Sequence, residues 1–204
     1  MSGAARTRIK ICGIIAPDAA AAGTDALGFV FAEGSPRQID VATAERIAAA
    51  APPLVTMVGV HRTDDVAEIS AAARAFGDRL QLHGDVDETQ IAAFGRPIIR
   101  AFGFDPAAMA RWDGAANVSA LLVDGPSSGS GTAFDHAALA EIRATVRRPL
   151  ILAGGLTPEN VGAAIRVVRP DAVDVSSGVE DAPGRKCPDR IAAFCAAVRE
   201  ADGR

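Results

Sequence analysis

The stretch LILAGGLTPENVGAAIRVVRPDAVDVSSGV, residues 150–179, decides the fold. It opens on a short apolar run, Leu150–Ala153, and passes through Gly154-Gly155. A segment with helical spacing of apolar residues follows, Pro158–Val168, and then a second apolar run, Ala172–Val175, which ends at Ser176-Ser177-Gly178. Two aliphatic runs joined by a helical segment make a strand–helix–strand unit, and such units build parallel sheets. Thr157 before Pro158 is expected to start the helix, as an N-cap with proline at the first helical position.

Outward from this stretch the same alternation repeats. Further strands are expected at Arg8–Cys12, Ala26–Phe31, Leu54–Val60, Arg79–Leu82, Pro97–Ala101 and Ala120–Asp124. Helices are expected at Val41–Ala51, Asp64–Phe76, His136–Val146 and Pro188–Glu200, with Asp135 as the cap before His136. Eight units of roughly 25 residues fill the 204-residue chain and leave room only for a strand, a short helix and tight loops. The fold class is therefore α/β: a single compact (β/α)₈ TIM barrel spanning residues 1–204. Its first helix is shortened, because Pro17–Gly23 holds only about two turns. An open, doubly wound sheet is the alternative. Eight countable strands and the lack of any composition shift favour the closed barrel.

Composition narrows the function classes. Hydrophobic residues make up 49% and charged residues 23%, enough to bury a core and too apolar for a disordered chain. The formal net charge is −4 with no lysine- or arginine-rich run, and aromatics are 4% with no Tyr, so a nucleic-acid partner is not expected. Cys12, Cys187 and Cys195 match neither a disulfide framework nor a zinc pattern. Met1–Arg8 carries no apolar leader run, and no stretch approaches the length of a membrane span. The expected setting is the reducing cytoplasm, with no membrane partner.

Chemically capable residues gather where the expected strands end. Cys12 ends the first, His61 follows the third, His83 the fourth, and Asp124 ends the sixth. Gly154-Gly155 follows the seventh strand and Ser176-Ser177-Gly178 the eighth. In a (β/α)₈ barrel these ends form one face, and that face carries active sites. A period of two places Lys10 with Cys12, and Leu122 with Asp124, so Cys12 and Asp124 can both point into the barrel mouth. The two glycine-rich exits suit an anion, since small residues let backbone N–H groups approach it closely. Arg37, just past strand two, can hold a carboxylate through two N–H groups. Lys10 and Asp174 lie on strands that become neighbours when the barrel closes, which suggests an ion pair there. Gly125–Gly131 reads as a loop that covers a ligand or as a plain solvent-exposed turn. Each residue also has a plain structural reading: Cys12 as buried filler, Asp124 as a turn former, His83 as a satisfied core histidine, Arg37 as a solvated surface group.

Taken in order, these motifs resemble one enzyme family. Lys10-Ile11-Cys12-Gly13, Leu27-Gly28-Phe29-Val30-Phe31, Ser35-Pro36-Arg37, Gln81-Leu82-His83-Gly84, Leu121-Leu122-Val123-Asp124, Gly154-Gly155-Leu156-Thr157-Pro158-Glu159-Asn160 and Asp174-Val175-Ser176-Ser177-Gly178-Val179-Glu180 with Pro183-Gly184 are similar to phosphoribosylanthranilate isomerases. That resemblance implies a (β/α)₈ enzyme of tryptophan biosynthesis. It would catalyse an Amadori rearrangement of N-(5-phosphoribosyl)anthranilate, with no cofactor and no metal. It further implies Cys12 as general base, Asp124 as general acid and Arg37 as the grip on the anthranilate carboxylate. Gly154, Gly155, Ser176, Ser177 and Gly178 would hold the phosphate, with His83 and Asp174 as further substrate-binding residues. Asp124 must then be protonated and Cys12 ionised, the latter favoured by nearby positive potential. Relatives act as monomers or homodimers.

The chain departs from the family pattern at several points. Ile15 replaces a usual Thr, the first helix is about one turn short, and His61 stands where Phe is common. Thr132-Ala133 replace a Lys-Thr, His136 a Trp, and Cys187 an Asp. Two other readings compete: the histidine-pathway isomerase that performs the same rearrangement, and a catalytically weak barrel that binds phosphorylated ligands. The first resembles a pattern with Asp where Cys12 stands, and intact Cys12, Asp124 and Arg37 argue against the second.

Overall fold

A computed structural model describes residues 6–17, 23–62, 67, 76–125 and 136–203. Eight parallel strands close a barrel in chain order: β1 (Arg8–Cys12), β2 (Ala26–Val30), β3 (Thr56–Arg62), β4 (Arg79–His83), β5 (Ile98–Gly103), β6 (Val118–Asp124), β7 (Leu150–Leu152) and β8 (Ala172–Val175). Helices α1 (Val41–Ala50), α2 (Glu88–Ala93), α3 (Pro106–Gly114), α4 (His136–Arg143), α5 (Val161–Val168) and α6 (Pro188–Ala201) follow β2, β4, β5, β6, β7 and β8. A short hairpin, β9 (Glu180–Ala182) with β10 (Arg185–Lys186), lies between β8 and α6. The helix expected at Asp64–Phe76, the shortened first helix, the cap at Asp135 and the loop Gly125–Gly131 fall wholly or mainly outside the described residues. Among the described residues, no helix is long and apolar enough to cross a membrane.

The sequence period builds two concentric cores. Outward-facing residues such as Ile11, Phe29, Leu80, Leu121 and Val173 pack against the helices. Inward-facing Cys12, Val30, Val58, Val60, Ile99, Ala101, Ala120, Leu122, Ile151 and Ala153 fill the barrel itself. Helices present matching stripes: α5 buries Val161, Ala164, Ile165 and Val168, and α6 buries Ile191, Phe194, Cys195 and Val198. Both follow the i, i+3, i+4, i+7 spacing of one helix face. Each fully buried side chain of this size contributes about 1.5–3 kcal/mol. Cys195 is thus part of a helix stripe.

Helix starts follow capping chemistry. Asp40 accepts from the Thr43 backbone at 2.7 Å, Asp105 caps α3 with Pro106 behind it, and Asp87 and Gln90 form a reciprocal capping box. The start of α5 keeps the cap expected at Thr157, whose Oγ1 accepts from Glu159 N at 3.3 Å and whose carbonyl accepts from Val161 N at 3.1 Å. Thr157-Pro158 opens a turn, and the helix begins at Val161. Asn160 completes this turn by folding back. Its Oδ1 accepts from Thr157 N at 2.8 Å and its Nδ2 donates to Gly155 O at 2.8 Å, which ties the turn to the glycine exit.

Closure occurs between β1 and β8, where Lys10 sits opposite Asp174 and Ile11 opposite Val175. Lys10 Nζ donates to Asp174 Oδ1 at 2.9 Å, with both side chains almost wholly buried. The ion pair expected from sequence is therefore present, inside the barrel.

His61 lies on β3, 4% exposed, and stacks on Phe31 at 5.2 Å between ring centroids. Burial pushes its pKa down to about 4. Since the unfolded ring titrates near 6.5, this burial contributes stability that is complete above about pH 6.5 and lost as pH falls toward 4. His61→Phe keeps the stack and removes the titration. Urea unfolding of His61→Phe should show a pH 7 to 4.5 stability loss smaller than wild type by about 1–3 kcal/mol. An identical loss in both proteins would refute the assignment.

Candidate active site

Cys12 ends β1 with its side chain inward, paired in register with Gly28 of β2. A Cβ at Gly28 would lie 2.9 Å from Cys12 Sγ and 3.0 Å from Lys10 Nζ, so glycine there makes room for both side chains. Gly13 bends the chain out of the strand at φ +77°, and a Cβ on it would collide with Arg37 Cδ. The Arg37 stem therefore crosses directly over the exit of β1. On the opposite side, Asp124 ends β6, and its Oδ1 accepts from Gly125 N at 2.8 Å. Gly154 follows β7 at φ +87°, where a Cβ would sit 2.5 Å from Asp124 Oδ1. Gly178 packs so closely on the Leu156 carbonyl that no side chain fits.

These exits surround one cavity of about 570 Å³ at the C-terminal mouth of the barrel. Its walls include Cys12, Arg37, His83, Asp124, Gly154, Gly155, Asp174, Ser176, Ser177 and Gly178, every residue that the sequence singled out for the site. His61 does not line it, because its position on β3 turns it toward the outer layer.

Three features of the site are set by tertiary partners and burial. First, Arg37 is neither free nor solvated. Glu180 takes its Nε at 2.7 Å and its Nη2 at 2.8 Å, a two-point grip. A guanidinium has five N–H donors, so three remain for a ligand. Second, burial pushes the Cys12 thiol up, and this outweighs the opposing pull of Lys10 and Lys186. Positive potential is present, but it moderates the shift and does not reverse it. Third, His83 is held neutral, its pKa pushed down to about 4 by burial and by Lys10, Arg100 and Arg62. The Gln81 amide nitrogen lies 2.8 Å from His83 Nε2. Since an amide N–H donates, Nε2 accepts and the ring proton sits on Nδ1. Arg100 steadies this strand end by donating to the carbonyls of Leu82 and Gly84 at 3.0 and 2.6 Å.

Three residues of this constellation were not singled out from sequence. Gln81 is 1% exposed, lines the cavity and carries a buried Oε1 with no hydrogen-bond partner among the described residues. Its signal was available: it sits two residues before His83, on the same strand face. Glu180 and Lys186 come from the β9–β10 hairpin, a segment with no periodic signature. Lys186 Nζ donates to Glu180 Oε1 at 2.6 Å and to Ser176 O at 3.1 Å.

A closed parallel barrel with two glycine-rich exits and opposed acid–base candidates at its C-terminal mouth has the architecture of a (β/α)₈ enzyme, whose active site lies at that face. The family model for "N-(5'phosphoribosyl)anthranilate (PRA) isomerase" matches residues 9–197. The N-(5'-phosphoribosyl)anthranilate isomerase of Bordetella petrii is 44% identical, over 98% of this chain and 98% of that protein. The crystal structure of the phosphoribosyl anthranilate isomerase from Thermus thermophilus superposes with a TM-score of 0.86 at 38% identity, covering 95% of this chain and 99% of that one. A second such isomerase, solved with reduced 1-(o-carboxyphenylamino)-1-deoxyribulose 5-phosphate, gives 0.81 at 36% identity over 97% and 100%. The chain belongs to the phosphoribosylanthranilate isomerase family.

Gly154→Ala should test how tightly the mouth is assembled. The positive φ alone costs about 1 kcal/mol for a non-glycine residue, and the new Cβ would displace Asp124. A thermal midpoint lowered by a few degrees, together with at least tenfold lower turnover, is expected. Wild-type turnover would show that Asp124 does not need this seat.

Proposed function

We propose that this protein converts N-(5-phosphoribosyl)anthranilate to 1-(2-carboxyphenylamino)-1-deoxyribulose 5-phosphate by acid–base catalysis, with Cys12 as base and Asp124 as acid. Membership of the isomerase family gives the reaction class, an aldose–ketose isomerisation in tryptophan biosynthesis. The observation that carries the residue roles is the cavity, which opposes Cys12 on β1 to Asp124 on β6 across a space the size of one small substrate.

In this reading Asp124 donates a proton to the ribose ring oxygen as the C1′–O bond breaks, and the anthranilate nitrogen forms a protonated Schiff base. Cys12, as thiolate, removes the C2′ proton, and the electron pair flows to the iminium and forms the enolamine. Tautomerisation then gives the ketone. The N–H groups around Gly154, Gly155 and Ser176–Gly178 hold the phosphate. The donors of Arg37 left over by Glu180 take the anthranilate carboxylate. His83 and Asp174 flank the sugar, His83 through Nδ1–H. Two anionic grips at opposite ends fix the reacting carbons between acid and base. All of these groups come from one chain, so a monomer is competent and a homodimer would carry two complete sites. The setting proposed for this enzyme is the cytoplasm.

Turnover is measured by the loss of fluorescence of phosphoribosylanthranilate made in situ. Cys12→Ala and Asp124→Asn should each lower kcat by at least 10³-fold with folding intact, within the range for a lost acid or base. Because Cys12 must be ionised while Asp124 stays protonated, kcat/KM should follow a bell-shaped dependence on pH, with one limb from each group. Retained turnover in either variant would remove that residue from its role. Inactive but folded wild type that binds the reduced product would favour the binding-protein reading.

A further inference from the structure

The wall of the cavity behind Cys12 carries a charge that this mechanism does not use. Lys10 and Asp174, 2.9 Å apart beside the thiol, form a neutral pair. Cys12 also feels Lys186 on β10 and Arg37 beyond β2, while Asp124 on β6 and His83 on β4 line the same cavity. Lys186 and Arg37 share one carboxylate. Glu180 Oε1 accepts from Lys186 Nζ at 2.6 Å and from Arg37 Nε at 2.7 Å. Two cations on one carboxylate leave a net positive charge.

The geometry places that charge close to Cys12 and keeps it dry. The Lys186 side chain is 3% exposed. Its ammonium donates to Ser176 O and Oγ at 3.1 and 3.2 Å, and Ser176 Oγ donates to the Cys12 carbonyl at 3.1 Å. Gly184, at the hairpin turn, donates its N–H to Glu180 Oε2 at 3.3 Å and packs against the Pro36 carbonyl. The hairpin is thus clamped between the Arg37 segment and the exit of β8.

We propose that Lys186 is a positioning residue for the base: held by Glu180 and Ser176, it brings the Arg37–Glu180–Lys186 group to a net positive charge that lets Cys12 give up its proton in a desolvated barrel mouth. A buried thiolate needs such a neighbour. Lys10 is neutralised by Asp174, and the charge on Arg37 is met by the substrate carboxylate once bound. Arg37 and Lys186 share the one carboxylate of Glu180, so the free enzyme keeps one positive charge here in excess, and Lys186 is the dry cation of the two. The inference rests on Cys12 being the base.

The test reads the thiol without turnover. The full chain is alkylated with iodoacetamide across a pH series, and peptide mass spectrometry separates Cys12 from Cys187 and Cys195. Lys186→Met should move the Cys12 alkylation midpoint up by about one pH unit and lower kcat at neutral pH about tenfold, with a smaller change in KM. Glu180→Gln keeps the cation and removes its partner, so its midpoint should move down while KM rises through loosened Arg37. An unchanged midpoint in folded Lys186→Met, with only KM raised, would overturn the proposal in favour of a purely structural hairpin. If Lys186→Met does not fold, Glu180→Gln decides alone: a lower midpoint supports the proposal, and an unchanged or higher one overturns it. Failure of the isomerase reading itself would appear separately, as retained turnover in Cys12→Ala.

Discussion

The pairing of β1 with β8 is the constraint on which the rest depends. Seven strand contacts arise between neighbours in sequence, but this one joins residues 164 apart, Lys10 and Asp174. Without it the sheet would stay open and its strand ends would fan out. With it, the exits of β1 and β6 face each other across one cavity. A buried ion pair contributes little net stability over an apolar pair, yet losing one partner strands a charge at a cost of about 3–5 kcal/mol. Here the pair fixes register at the seam and places an ammonium beside Cys12.

Glycines then govern how closely the mouth can be assembled. Gly13, Gly28, Gly154 and Gly178 each occupy a point where a side chain would strike a functional group or a neighbouring loop. Their arrangement lets Arg37 cross the first strand exit, Lys10 and Cys12 share the barrel interior, and the exits of β7 and β8 touch. The catalytic face is thus defined as much by missing side chains as by reactive ones.

Electrostatics at the mouth are a balance in which burial is the largest influence on several groups. It raises the Cys12 thiol and lowers both His83 and His61 to about 4. Glu180 goes the other way, down to about 2, because Arg37 and Lys186 together outweigh its desolvation. The site therefore combines a neutral histidine, a thiol reluctant to ionise and a carboxylate firmly ionised between two cations. The protonation of Cys12 is set by burial against the charges of Lys10, Asp174 and Lys186 around it.

Much of this was legible in the sequence. Short apolar runs gave the strands to within a few residues, and the period of two put Lys10 with Cys12, and Leu122 with Asp124, on one face. Gly-rich exits after the last two strands marked the end where the cavity opens. These features are local, and local period and turn chemistry report on neighbours in the chain. Apart from the Lys10–Asp174 pair, which strand order alone suggests, the sequence could not yield contacts between segments brought together by closure. The grip of Glu180 on Arg37, 143 residues apart, and of Lys186 on Ser176 arises only when the β9–β10 hairpin folds over the seam. Likewise the Gln81 acceptor, unpaired among the described residues, and the excess of burial over positive potential at Cys12 depend on how much water the barrel excludes. The sequence by itself determined the barrel, the order of its strands and the residues at its mouth. Only the tertiary structure decided their charge states and partners, since desolvation and pairing are properties of the closed cavity.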